Sequence, residues 1–252
     1  MKTASWTWLL AAGLACASSG AFAQQQQDPF PLPPKEWPKP VMDTEPFSLL
    51  LLDRLEYRLR AGKDAWAWEG EAWFGGDYNK FWLKSEGEAE IRGRAESADI
   101  QALYARRIAP FWHLQAGVRQ EARPTPSRNQ GVLAIEGLAP YWFNVQASAF
   151  IGRGSVSGRV EATYDQLLTQ RLILQPRLET NFAGSSDTAR GIGKGLTDVE
   201  LGLRLRYEIK REFAPYVGVT WTRQLGDTAD LSRQQGKDVT EKAIVVGIRV
   251  WY

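Results

Sequence analysis

Residues Val199–Lys210, with the sequence VELGLRLRYEIK, alternate strictly between two kinds of side chain. Every odd-numbered position is apolar, and every even-numbered position is charged except for one glycine. A β-strand points successive side chains to opposite faces, so a strand separates the two sets completely. An α-helix would mix them around its circumference. The stretch therefore predicts a β-strand with one apolar face and one strongly charged face.

The same period of two recurs from Phe47 onward, and no window keeps a convincing apolar stripe at the helical period of 3.6. Segments of about ten alternating residues separated by turns, in an even number, are typical of outer-membrane β-barrels. Twelve segments fit this pattern: 51–60, 66–74, 81–94, 98–107, 111–121, 131–138, 142–151, 156–165, 170–182, 199–210, 215–224 and 242–252.

A soluble β-sandwich would also alternate, with its apolar face turned inward. Two features favour a transmembrane barrel instead. The apolar face carries many aromatic residues near strand ends, as in the interfacial girdles of such barrels. The polar face is charged with mixed sign, which suits a narrow lumen that is salt-bridged or filled with water. We therefore predict an all-β fold, a transmembrane antiparallel up-and-down barrel of about twelve strands over residues 47–252.

The connections between strands fall into two alternating sets. One set shares the pattern apolar-Ala-Pro-aromatic, and the other set contains longer polar stretches. Outer-membrane barrels have short periplasmic turns and longer extracellular loops. We therefore predict periplasmic turns at 108–111, 138–141 and 213–216, and extracellular loops at 122–130, 183–196 and 225–240.

Two charged residues fit this barrel poorly. Asp53 falls on the predicted lipid face of the first strand, and Arg106 falls on that of the fourth. Both lie near predicted periplasmic ends, where a charge costs less than at the bilayer midplane. A β-bulge or a shift in the assigned register explains such a position equally well.

The residues before the barrel are predicted to be processing and linking segments. A positive start and an apolar run at Trp6–Ala17 precede the cleavage-site sequence AFA, which indicates a signal peptide over residues 1–23. The apolar run is shorter than the ~20 residues that a spanning helix needs. Residues 24–46 carry a glutamine tract and seven of the thirteen prolines, which favours a disordered periplasmic tether.

Composition excludes several classes of function. The chain has 31 basic and 29 acidic residues, a balance that argues against a nucleic-acid partner. One Cys and one His are too few for a zinc cage or a disulfide framework. A Ser-His-Asp enzyme would have to use His113, which lies at the predicted periplasmic end and fits rim catalysis badly.

Six stretches resemble the copper resistance protein B family of outer-membrane proteins, and they cover most of residues 47–252. The resemblance implies a barrel that binds or exports copper ions without catalysis, beside a periplasmic multicopper oxidase. It also implies contact with outer-membrane lipid and lipopolysaccharide, and we expect a monomer. The six stretches are Trp73–Lys84 (WFGGDYNKFWLK), Ala102–Gly117 (ALYARRIAPFWHLQAG), Gly137–Phe143 (GLAPYWF), Tyr164–Arg177 (YDQLLTQRLILQPR), Ala189–Gly195 (ARGIGKG) and Glu200–Tyr216 (ELGLRLRYEIKREFAPY).

The chain departs from this family in its amino-terminal segment. Members typically carry Met and His there, and these side chains suit Cu(I) and Cu(II) respectively. Here the segment is rich in Gln and Pro, and Met42 is its one remnant of the pattern. Copper sequestration by the tether is therefore not expected. Either the barrel itself binds or passes copper, or the chain carries another cargo. The alternative function is a small passive channel for polar or acidic solutes.

Candidate metal ligands in the barrel are therefore few. His113 is predicted on the lumen face, either as a metal ligand or as an ordinary hydrogen-bonded side chain. Carboxylates on the second and third strands form either a cation-attracting wall or a ladder of salt bridges. Such a ladder would draw on Arg54, Arg58, Lys84, Arg92 and Arg94. The candidate ligands are Met42 in the tether and, in the barrel, His113, Glu69, Glu71, Glu86, Glu88 and Glu90.

Overall fold

The computed structural model describes residues 46–91, 93 and 95–252, and these residues form a closed antiparallel β-barrel. Twelve long strands follow one another around the ring, and β13 pairs with β1 to close it. A two-residue strand, β9, pairs only with β10. The strands are β1 Phe47–Arg60, β2 Ala65–Gly75, β3 Asn79–Glu90, β4 Ala95–Ala109, β5 Trp112–Arg123, β6 Arg128–Ala139, β7 Phe143–Gly152, β8 Ser155–Tyr164, β9 Gln166–Leu167, β10 Leu172–Ala183, β11 Gly195–Tyr207, β12 Phe213–Gln224 and β13 Thr240–Trp251.

The barrel is apolar outside and charged inside. On β11 the side chain of Leu203 is 42% exposed, whereas its neighbour Arg204 is 2% exposed. The same alternation runs along the other strands, because each turns its apolar residues outward. A soluble sandwich has the opposite arrangement, so the predicted transmembrane barrel is confirmed. Among the described residues, no helix is both long enough and apolar enough to cross a membrane.

A β-bulge in β1 corrects the predicted position of Asp53. The register of β1 against β2 shifts between Leu52 and Arg54, so Asp53 is the extra residue. Its carboxylate turns to the lumen and accepts a hydrogen bond of 2.7 Å from Arg249 Nε. The bulge also exchanges the two faces, and Leu51 therefore lines the lumen rather than the lipid face. Arg106 is exposed on the outer face, as predicted.

We call the end of the barrel that carries Phe47 and Tyr252 the short-turn end, and the opposite end the long-loop end. The three predicted short turns all lie at the short-turn end. The two longest connections, 184–194 and 225–239, lie at the long-loop end, as predicted.

Several predicted boundaries differ from the structure. The connection predicted at 122–130 is shorter, because β5 runs to Arg123 and β6 begins at Arg128. The third strand ends at Glu90 rather than at residue 94, and Arg92 and Arg94 lie outside the described residues. So do the predicted signal peptide (1–23), which stays a prediction, and all of the predicted tether (24–46) except Pro46, Met42 included.

An α-helix, α1 at Gly226–Gln234, lies in the longest connection. The sequence did not predict it, because the segment shows no apolar stripe at the helical period. Its buried face consists of Thr228, Ala229 and Ser232, which are too small and polar to form an apolar stripe. The Thr228 hydroxyl accepts a hydrogen bond of 2.9 Å from the amide of Gly193 in the 184–194 connection. The helix therefore joins the two long connections at the long-loop end.

Candidate functional site

A cavity of about 500 Å³ lies inside the barrel toward the short-turn end, and we call it the lumen cavity. Its lining contains seven carboxylates and four cationic side chains. Three of these carboxylates also pair with arginines outside the lining, so the formal charges around the cavity balance. Two of the carboxylates, Glu71 and Glu136, share one cation, Lys84. The charged and titratable lining is Asp53, Glu69, Glu71, Glu86, Glu136, Glu161, Asp165, Lys80, Lys84, Arg159, Arg249 and His113.

The lumen narrows toward the long-loop end, where a second cavity of about 220 Å³ has a different charge balance. Six carboxylates and six arginines line it, so their formal charges cancel. Among the described residues, the lining of the lumen cavity is therefore richer in carboxylates than that of the second cavity.

His113 lies on β5 and faces the lumen cavity, as predicted. Its partner in the ladder is Glu136 on β6, and directly opposed side chains of two strands lie close together. The Nε2 atom of His113 is buried and has no hydrogen-bond partner among the described residues. The Glu136 carboxylate accepts a hydrogen bond of 3.0 Å from Gln115 Nε2, which holds it in place.

Sequence reasoning missed Glu136, although a signal was present. Glu136 is the one charged residue in the predicted segment 131–138, whose other members are apolar residues and glycine. A single carboxylate on the lumen side of such a strand needs a cationic partner from another strand. The predicted candidates were runs of charged residues within one strand, and Glu136 stands alone in its strand.

That cationic partner is Lys84 on β3. Its ammonium nitrogen lies 2.5 Å from Glu136 Oε2 and 3.8 Å from Glu71 Oε2. It also donates a hydrogen bond of 3.3 Å to Gln146 Oε1 on β7. The Trp82 ring lies 4.8 Å from the same nitrogen, in the geometry of a cation–π contact. Lys84 thus joins β2 and β3 to β6 and β7 across the lumen.

The five carboxylates predicted on the second and third strands are spread along the bore, and each lies beside a cation. Glu69, Glu71 and Glu86 line the lumen cavity, whereas Glu88 and Glu90 lie nearer the long-loop end. Among the described residues, no three His, Cys, Asp or Glu side chains converge closely enough to hold a metal ion. The pairs are Glu69 with Arg54 at 2.6 Å, Glu71 with Lys84, Glu86 with Arg159, Glu88 with Arg58 at 3.1 Å, and Glu90 with Lys63 at 2.8 Å.

Ion pairs also connect distant strands across the middle of the bore. Arg159 on β8 reaches Glu86 on β3, and these two strands stand on opposite walls. Arg177 on β10 donates to Glu161 at 2.8 Å and to Glu200 at 3.1 Å. Its side chain is only 4% exposed. The predicted ladder between neighbouring strands is therefore extended by pairs that cross the lumen.

Part of the lumen wall is apolar. Six buried side chains on β3–β7 form one cluster, and Trp73 packs against it with its ring 6.4 Å from that of Trp82. Aromatic side chains on the lumen face offer van der Waals contact and a π surface rather than ionic partners. The lumen cavity thus combines a carboxylate-rich lining with one aromatic wall. The cluster consists of Trp82, Leu103, Ala105, Val132, Ala134 and Phe150.

The 184–194 connection crosses the long-loop end and is fastened by Arg190. Its guanidinium donates to Glu121 Oε2 at 2.5 Å and to the carbonyl oxygens of Pro124 and Pro126 at 2.6 Å each. The Arg190 side chain is 1% exposed. This connection starts from β10 and reaches the β5–β6 hairpin, so it spans the opening of the barrel.

Residues 46–252 match the family described as Copper resistance protein B precursor (CopB). The chain is 44% identical to Copper resistance protein B of Escherichia coli, over 81% of this chain and 69% of that protein. It is also 44% identical to the Copper resistance protein B homolog of Pseudomonas syringae pv. tomato, over 84% and 72% respectively. Among solved structures, the NanC porin is similar in fold alone, with a TM-score of 0.54 at 13% identity, covering 80% of this chain and 98% of that one. The chain therefore belongs to the copper resistance protein B family.

Proposed function

We propose that this barrel serves copper resistance by binding copper ions in the lumen cavity, without catalysis. Membership of the family gives the chain its role in copper resistance and its place in the outer membrane. The observation that carries the binding site is that two carboxylates of the lumen cavity, Glu71 and Glu136, share one cation, Lys84. His113, which opposes Glu136 in the ladder, has an Nε2 without a hydrogen-bond partner among the described residues. We place the short-turn end, and the tether with it, in the periplasm, because short turns face that compartment in such barrels.

The residues of the cavity favour Cu(II) as the bound form. Imidazole and carboxylate groups suit Cu(II), whereas Cu(I) prefers thioether and thiolate ligands. The described residues contain no Met and no Cys. His113 and Glu136 are the first ligands that we propose, because they oppose each other on adjacent strands at the cavity wall. Glu71 becomes the third ligand only after a side-chain rearrangement, because these three side chains do not converge as they stand. Glu69 and Glu86 add to the attraction of cations.

A passive channel for polar or acidic solutes is the less well supported alternative. Carboxylates outnumber cations in the lining of the cavity, which disfavours acidic solutes. The ion pairs of Arg159 and Arg177 also connect opposite walls and narrow the bore. Export of copper through the bore would require these pairs to part, so we propose binding as the primary activity. A periplasmic multicopper oxidase, implied by the family, remains the partner that we expect to meet the periplasmic end.

The test is copper binding by the full-length protein purified from membranes, with Cu(I) and Cu(II) titrated separately. We expect saturable binding of Cu(II), weakened at least about tenfold in His113→Ala and in Glu136→Gln. Glu90→Gln is the matched control, because Glu90 lies outside the lumen cavity and pairs with Lys63. Absence of saturable binding by the wild type, or equal binding by all variants, would overturn the proposed site.

A further inference from the structure

We propose that the Lys84 ammonium is a tethered cation that holds the place of the copper ion in the lumen cavity. Copper binds between Glu71 and Glu136 only when this nitrogen moves away, so Lys84 sets the copper affinity of the site. The inference rests on the proposed function and adds a residue that opposes binding rather than supporting it.

The surroundings of the Lys84 nitrogen are those of a cation site built from several strands. Its neighbours are Glu71 on β2, Glu136 on β6 and Gln146 on β7, at 3.8, 2.5 and 3.3 Å. Oxygen atoms from three strands therefore converge on one point of the lumen. Carboxylate and amide oxygens ligate metal ions as well as they accept hydrogen bonds from an ammonium.

Beside this point, the cavity wall offers further acceptors that the ammonium does not use. Gln101 lies directly opposite Lys84 on β4, is 5% exposed, lines the cavity, and its Oε1 has no hydrogen-bond partner among the described residues. Oε1 of the fully buried Gln115, whose amide nitrogen donates to Glu136, also has no hydrogen-bond partner among the described residues. Neither does Nε2 of His113, which opposes Glu136 in the ladder. Buried polar atoms normally find a partner, so these groups point to a ligand with more contacts than an ammonium makes.

The charge balance of the site also favours exchange of the ammonium for a divalent ion. Glu71 and Glu136 carry two negative charges, and Lys84 neutralises one of them. A divalent ion added beside the ammonium would give the two carboxylates, the ammonium and the ion a positive net charge. The ion and the ammonium would also repel each other strongly, because the dielectric constant of the lumen is low. A divalent ion in place of the ammonium would balance the two carboxylates. The lysine stem is flexible, so its nitrogen can leave while the strand stays in place.

The test compares Cu(II) binding by full-length Lys84→Gln and wild-type protein. We expect the dissociation constant of Lys84→Gln to fall at least about tenfold. Lys80→Gln is the matched control, because Lys80 lines the same cavity on the same strand but lies over the Trp73 ring at 3.9 Å and forms no ion pair with either carboxylate. We expect its dissociation constant to change by less than about threefold.

Removing Lys84 leaves two carboxylates without their shared partner, so the single variant has a folding risk. A second comparison avoids it: Glu71→Gln against Glu71→Gln/Lys84→Gln, in which the double variant should bind Cu(II) more tightly. Equal or weaker binding after loss of Lys84 in both comparisons would overturn the inference, while wild-type binding would leave the proposed function standing. No Cu(II) binding by the wild type or by Lys84→Gln would overturn both proposals.

Discussion

Glu56 is the residue whose substitution gives the clearest test of how the lumen charges hold the barrel together. Its carboxylate is fully buried and accepts hydrogen bonds from Nε and Nη2 of Arg204 at 3.0 Å each. It also accepts one from Arg58 Nε at 2.9 Å and one from the Tyr216 hydroxyl at 3.1 Å. Glu56→Gln keeps the shape of the side chain but removes the charge and one acceptor oxygen. The prediction is therefore a loss of folding stability without loss of fold.

The size of the expected loss of folding stability follows from the burial of the partners of Glu56. Arg204 is 2% exposed, so water does not replace the lost carboxylate. Removing one partner of a buried ion pair costs about 3–5 kcal/mol. Glu241→Gln is the matched control, because Glu241 pairs with Arg60 at 3.2 Å but its side chain is 44% exposed. An exposed pair contributes only about 0–1 kcal/mol.

Urea unfolding of the purified barrel in detergent, followed by tryptophan fluorescence, measures both variants. We expect Glu56→Gln to unfold at clearly lower urea with an unchanged slope, and Glu241→Gln to match the wild type. Copper affinity should be the same in Glu56→Gln, because Glu56 does not line the lumen cavity. If the two substitutions cost the same, the view that lumen ion pairs stabilise the barrel in proportion to their burial is wrong.

Two further predictions concern the bore and the long-loop end. Replacing both Arg159 and Glu86 by Ala removes a pair that joins opposite walls, so single-channel conductance in planar bilayers should rise above that of the wild type. An unchanged conductance would mean that the bore is closed elsewhere. Arg190→Ala removes the contacts that fasten the 184–194 connection to Glu121, so limited proteolysis should cleave this connection faster, whereas Arg233→Ala, in an exposed pair, should not change the rate.

Turn chemistry and strand period predicted the barrel closely, and the exceptions have local causes. A bulge at Asp53 was one of the alternatives that the sequence left open, because one extra residue leaves the alternation intact on either side of it, and the structure decides in its favour. Helix α1 was missed because a short helix that packs through Thr228, Ala229 and Ser232 leaves no apolar stripe in the sequence.

The candidate site was predicted only in part. The sequence placed His113 and the carboxylates of β2 and β3 on the lumen face, because the face of a side chain follows from the local period where no bulge intervenes. It did not reveal that Glu136 joins Glu71 in sharing Lys84. Glu71 and Lys84 oppose each other on neighbouring strands, whereas Glu136 lies on β6 and meets them only across the bore.

By itself, the sequence determined that the chain forms a membrane barrel of twelve long strands and which face most side chains take. These properties depend on alternation and on turn residues, which are local. The resemblance to the family rests instead on the six quoted stretches. Only the tertiary structure decided which lumen charges neutralise each other and that Glu71 and Glu136 share one cation. The reason is geometric: strand tilt, stagger and diameter are linked in a closed barrel, and they set which side chains meet across it.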